Sequence, residues 1–329
     1  MTTTSKTTPS KPSTPAQPAT PIEPALIADP VATAKPASLW RDTLGSVLRQ
    51  RSAVVGLVVL TVLISLAVFA PLIAPFNPDQ TLLGIEPGVE KRSGPCIHIL
   101  GCPTTQPQHI LGTDGNFRDV LSRVLYGGRV SLLIGFAAVG FAITVGTLIG
   151  AVAGYAGGWN DNILMRFMDV LLAFPSLLLA IAIVTALGQS YFNALLAISI
   201  VAIPVYARLV RSSVMAAREA DYVTASRALG ESGFGILRRR IMPNAITPLI
   251  VQGTLGIGGA VLEIAALAFI GVVGIGAAEW GSMIALERNQ LFNAPHVILV
   301  PGIAITLTVL AFNLLGDGLR DALDPRLNR

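Results

Sequence analysis

Between Arg218 and Asn244 the chain reads READYVTASRALGESGFGILRRRIMPN, a polar, helix-forming stretch set between long uncharged apolar runs. Its alanines, with Gly230 and Pro243, mark two short helices joined by a turn. The first ends near Gly230; the second resumes at Ser232 and runs to about Arg240, where Pro243 is expected to stop it. A hairpin of this kind in a cytosolic loop of a membrane protein offers a rigid surface to a soluble partner. The chain therefore reads as one part of a larger machine.

The rest of the sequence supports a membrane setting. Of 329 residues, 52% are hydrophobic and only 13% charged, with a mean hydropathy of +0.66. Soluble domains carry roughly 25% charged residues. A bilayer core requires about 20 apolar residues per helix, with every backbone polar group paired inside the segment. The apolar runs are long and do not alternate as barrel strands would. The expected fold is an all-α polytopic membrane protein with six transmembrane helices and a cytosolic hairpin. The spans are placed at Ala53 to Ala74, Val130 to about Tyr155, Met168 to Leu187, Tyr191 to Ala207, Ile246 to Ile270, and His296 to Leu315.

Basic residues orient the bundle. With the N-terminus inside, cytosolic segments hold 17 of the 23 lysines and arginines and the outer segments hold 6. Both termini are thus expected in the cytosol, in a cell (inner) membrane. The net charge of +4 follows from this topology and needs no nucleic acid. Residues 1–37 are rich in Thr, Pro, Ser and Ala without an apolar period, so they read as a disordered cytosolic tail. Residues 38–329 form the transmembrane domain, with an outer loop at about 75–129 and the hairpin loop at about 208–245.

Both cysteines, Cys96 and Cys102, fall in the outer loop. That compartment permits a disulfide closing a small loop. The alternatives are a metal site shared with His98 and His109, whose spacing matches no standard zinc pattern, and a free thiol pair. Gly146, Gly150 and Gly154 lie on one helix face and invite a close helix neighbour. Pro175, Pro204 and Pro301 each remove a backbone donor within a span and can kink it. Two carboxylates, Asp169 and Glu263, sit at or near lipid depth, where a charge costs on the order of 3 kcal/mol and so faces protein or water. Glu263 either lines a solute path or packs; Asp169 suits the start of a helix. The triplet Arg238, Arg239 and Arg240 fits lipid headgroups or an acidic partner. The G-x-x-x-x-G-K-[ST] phosphate loop is missing, and no nucleophile–base or metal cluster suggests catalysis. The expectation is a non-enzyme without its own cofactor.

The hairpin resembles the signature loop of the membrane permease subunits of bacterial ABC importers. In that loop an alanine motif precedes a glycine, and a proline follows thirteen residues later. Here these are Thr224-Ala225-Ser226, Gly230 and Pro243. Threonine at 224 in place of the usual glutamate, with Glu219-Ala220-Asp221-Tyr222-Val223 upstream, is similar to the peptide-permease branch. Leu111-Gly112-Thr113-Asp114 and Arg118-Asp119-Val120-Leu121-Ser122-Arg123 resemble the C-type subunit, although Phe117 stands where a glycine is expected, so the turn there is expected to differ. The ending from Asn313 through Gly316-Asp317-Gly318 to Asp324-Pro325-Arg326 is also C-type. Glu263 and Trp280-Gly281 fall where the family has them, but Ala277-Ala278-Glu279 departs from its pattern and lacks a proline.

The resemblance implies the type I importer permease fold and a heteromeric importer of di- or oligopeptides. Nickel or another small solute is the alternative within the same family. The implied partners are a second, B-type permease, two ATPase subunits that bind ATP and Mg, an extracytoplasmic solute-binding protein, and the bilayer. It assigns ATPase coupling to Ala225, Gly230 and Pro243, with Asp221 and Tyr222 on the same surface. An ion-driven secondary transporter would instead show inverted repeats and more intramembrane charge, and a scaffold or receptor would have no use for the hairpin.

Overall fold

The computed structural model describes residues 45, 47–274 and 278–323. The expected tail at 1–37, Ala277 and the terminal Asp324-Pro325-Arg326 lie outside them. The described residues form helices and connecting loops, with one isolated bridge between Thr113 and Asp119. In chain order the helices are α1 (Arg51–Val68), α2 (Ala70–Ile73), α3 (Val120–Ala156), α4 (Gly158–Leu172), α5 (Ser176–Leu187), α6 (Tyr191–Arg218), α7 (Asp221–Ala228), α8 (Gly233–Ile236), α9 (Met242–Ile270), α10 (Trp280–Glu287) and α11 (His296–Leu323). Five runs are long and apolar enough to cross a membrane, and α4 with α5 makes a sixth if that bent pair is one span.

The helices outrun the expected spans at their polar ends. Helix α3 begins ten residues before Val130 and α6 continues eleven beyond Ala207. Apolarity marks only the lipid-bathed part of a helix, while backbone pairing continues past the headgroups. The third span departs more sharply. It breaks at Ala173-Phe174-Pro175, and α4 and α5 meet at 92°. Pro175 therefore ends one helix and precedes the next, whereas Pro204 and Pro301 remain inside α6 and α11. With 12 residues, α5 is about 18 Å long, too short to cross alone.

Helix α3 packs along α6, and α9 packs against both. The glycine stripe explains the closest approach. A Cβ on Gly150 would lie 2.3 Å from the Ala207 carbonyl oxygen, and one on Gly154 would lie 2.8 Å from that of Arg211. Asp161 on α4 accepts two hydrogen bonds from Arg211 on α6, one of them 2.6 Å. Asp169 pairs with Arg208 at 2.5 Å, both half-exposed, so α4 is held to α6 by two ion pairs.

At one end of the bundle a polar network orders the loop between α2 and α3. Glu287 at the end of α10 accepts from Arg92 at 2.8 Å and from the Gly115 amide at 2.7 Å. Asp119 caps α3 through Ser122 and holds His109 Nδ1 at 3.1 Å. Cys96 and Cys102 are joined by a disulfide, with Cα atoms 5.5 Å apart. His98 bonds the Gln106 carbonyl and His109 turns to Asp119, so the four residues do not converge as metal ligands. Phe117 takes φ +57°, so the turn keeps the backbone form that suits glycine instead of changing shape. The Phe117 carbonyl accepts from Leu82 at 2.9 Å, and Lys91 lies over the ring.

Candidate functional site

Two places on this frame are candidate functional sites, the hairpin and a cavity among the spans. In the hairpin, α7 ends in a Schellman turn. Gly230 donates to the Arg227 carbonyl at 3.0 Å and Glu231 to that of Ser226 at 3.1 Å. Gly230 stands at φ +82°, a region a Cβ makes costly. Ser232 then caps α8 by accepting from Gly235.

Val223, Ile236 and Ile241 are fully buried behind the hairpin. Asp221, Tyr222, Ala225, Gly230 and Pro243 are all exposed, and Asn244 donates to the Tyr222 hydroxyl at 3.2 Å, tying the two arms together. Arg240 pairs with Glu231 at 3.2 Å across the turn. The structure also exposes two residues the sequence reading passed over, Leu229 at 88% and Phe234 at 73%. Their signal was an apolar residue on either side of the turn in an otherwise polar segment.

The expectation for Pro243 is corrected. It does not end the second arm: residues Leu237–Ile241 form a π turn that leads directly into α9, with Pro243 in the first turn of that helix. The wider i→i+5 pairing carries the helix past a residue that has no amide hydrogen. From Gly233 to Ile270 the chain is one helical run of 38 residues, so the second arm and the fifth span are one continuous helix, with Pro248 also inside it.

The cavity, of about 260 Å³, lies among α3, the α4–α5 break, α6 and α9 and is partly open. Its lining is apolar except for Gln252, Glu263, Ser176 and Tyr206, and it includes no Lys or Arg. Glu263 and Ser176, the first residue of α5, both line it. Asp169 is not in this cavity, and the expectation that it opens a helix is corrected: it lies in the last turn of α4, where Arg208 pairs with it. Above it, Glu279 is fully buried and caps α10 by accepting from Gly281 at 2.9 Å and Ser282 at 2.8 Å, with Ser131 donating at 3.2 Å. Burial pushes the Glu279 carboxyl above the usual carboxylate range, and the hydrogen bonds offset this only in part. The departure at Ala278-Glu279 thus has a structural use. Trp280 donates from its indole to the Val124 carbonyl at 2.9 Å, and Gly281 lies where a Cβ would meet the Ala265 carbonyl at 2.3 Å.

A helical membrane bundle with a cavity among its spans and a stiff polar hairpin between two of them has the build of a transporter's membrane subunit. Residues 146–329 match the family described as the binding-protein-dependent transport system inner membrane component. Residues 38–87 match the N-terminal TM domain of oligopeptide transport permease C. The dipeptide transport system permease protein DppC of Alkalihalophilus pseudofirmus is 44% identical over 299 residues, 88% of this chain and 91% of that one. The di/tripeptide permease DppC of Pseudomonas aeruginosa is 41% identical, covering 86% and 90%. The glutathione permease GsiD of Pectobacterium atrosepticum is 39% identical, covering 88% and 91%. In fold alone, a chain of the inward-facing MetNI methionine ABC transporter is similar, with TM-score 0.50 and 17% identity over 61% of this chain and 97% of that one. The chain belongs to the inner-membrane permease components of binding-protein-dependent transport systems, in the C-type branch of dipeptide and oligopeptide ABC permeases.

Proposed function

We propose that this chain is the C-type permease subunit of an ATP-driven importer of short peptides. It would pair with a B-type permease and dock through its hairpin on ATPase subunits that carry ATP and Mg. A solute-binding protein would deliver cargo from outside. In this reading residues 38–329 are the transmembrane domain, residues 1–37 a cytosolic tail, and both termini are cytosolic. The observation that carries the proposal is the exposed hairpin fused to α9. Asp221, Tyr222, Ala225, Gly230 and Pro243 are exposed on it, backed by buried Val223, Ile236 and Ile241. When the ATPases close, they move the hairpin as a rigid body, and α9 carries the motion to the cavity. ATP then shifts a two-state equilibrium through different contacts with the two shapes. The peptide substrate is supported by the three relatives, which are permeases for a dipeptide, a di/tripeptide and glutathione.

The test is reconstitution with the neighbouring permease, ATPases and binding protein in proteoliposomes. The expected result is peptide uptake that requires ATP and the binding protein, with Ser232→Cys labelled only from the ATPase side. Uptake by the isolated chain without ATP, or labelling of Ser232→Cys from the binding-protein side, refutes the proposal.

A further inference from the structure

We propose that the cavity around Glu263 is a subsite for the peptide's positively charged amino terminus; this rests on the peptide reading above. The cavity is a groove along one face of α9. Gln252, Gly256, Gly259 and Glu263 all line it, at steps of four, three and four residues that return to the same side of a helix. At 1.5 Å per residue the groove runs about 16 Å, the length of four to five extended residues. Its width is kept by the glycines. Nothing lies within 4 Å of the place a Cβ on Gly259 would take, and the Tyr206 hydroxyl occupies the space a side chain on Gly256 would fill.

The polarity of the groove is one-sided. Among the described residues Glu263 is its one carboxylate, Gln252 and the hydroxyls of Ser176 and Tyr206 are neutral, and no Lys or Arg lines the wall. The donors the lining offers Glu263 are the hydroxyls of Ser176 and Tyr206 and the Gln252 amide. Neutral donors leave a carboxylate's charge unbalanced, and a carboxylate at lipid depth is costly without further compensation. An ammonium supplies three donors and the opposite charge. A peptide's carboxylate end, by contrast, finds no cation in this half of the path. The groove therefore distinguishes the two ends of the cargo. Ser176 opens α5 directly after the 92° break, so the same lining carries Glu263 and the joint between α4 and α5.

The test uses the wild-type complex with its partner subunits, without nucleotide or binding protein. Dicyclohexylcarbodiimide labels carboxyl groups at lipid depth, and labelling of Glu263 is read by peptide mass mapping. L-alanyl-L-alanine and its amide, added at millimolar concentration, are expected to slow labelling by about tenfold, the scale of one charge-assisted hydrogen bond; N-acetyl-alanyl-alanine is expected to leave it unchanged. Equal protection by the acetylated and free peptides would show mere filling of space and overturn the proposal, as would no protection. Binding-protein-driven uptake of the same dipeptide is measured in parallel. Protection without uptake removes the importer reading and leaves the subsite; uptake without protection does the reverse. Glu263→Gln should lower uptake by about tenfold on the same scale, and Glu263→Asp should recover part of it. A Gln variant matching wild type would count against the subsite.

Discussion

Replacing Gly230 tests the hairpin most directly. Its φ of +82° places it at the C′ position of the Schellman turn, where an L-residue costs about 1–2 kcal/mol. The space is open, since nothing lies within 4 Å of a Cβ there. The penalty is therefore conformational rather than steric, and side chains should rank by their tolerance of the left-handed region. Asparagine tolerates it best, alanine less well, and a β-branched valine worst. At about 2 kcal/mol, valine would leave the native turn populated about thirtyfold less. The spans do not depend on this turn, so insertion and detergent extraction should match wild type. ATP-driven uptake in proteoliposomes should then fall in the order Gly, Asn, Ala, Val. If valine retains more than half of wild-type uptake, or asparagine does no better than valine, the turn is not the coupling element.

Other positions follow from the packing. Gly150→Val places a side chain against the Ala207 backbone and should cost about 1–3 kcal/mol, seen as a lower melting temperature of the solubilised complex. Gly140→Ala, with nothing within 4 Å, is the neutral control. Arg211→Ala should strand the mostly buried Asp161 and destabilise α4 by about 2–4 kcal/mol; adding Asp161→Asn should recover much of the loss, measured by a double-mutant cycle. Glu279 has a folded-state pKa above its unfolded value, so its contribution is full below the ordinary glutamate range and is lost as pH rises through the shifted value. The melting temperature should fall more between about pH 4.5 and pH 8 in wild type than in Glu279→Gln, and equal slopes would remove Glu279 as the cause.

Much of the architecture was legible because lipid leaves few choices. A segment that cannot bond water must pair its backbone within itself, so apolar length alone located the spans. What apolar length cannot report is direction. Pro175, Pro204 and Pro301 look alike in sequence, yet only the first coincides with a 92° turn. Pro204 is buried on the helix that packs along α3, while α4 is held aside by Asp161 and Asp169 pairing with Arg211 and Arg208. Those ion pairs join residues about forty to fifty positions apart, and no local pattern announces them. Phe117 and Glu279 were hidden for a related reason. A left-handed phenylalanine and a glutamate cap both break local preference, and each is held by contacts remote in sequence: Leu82 and Lys91 for one, Ser131 for the other.

The reading of Pro243 mattered most for mechanism. A helix that stopped there would make the hairpin's second arm and the fifth span two bodies joined by a hinge, and motion at one would be lost at the joint. The π turn instead makes them one continuous helix. From Gly233 to Glu263 that helix is about 45 Å long, so each degree of tilt about the hairpin end displaces Glu263 by about 0.8 Å. A few degrees therefore shift Glu263 by about 2 Å or more against the opposite cavity wall. Continuity of the helix through Pro243 thus lets a small movement at the membrane surface change which groups meet inside the cavity.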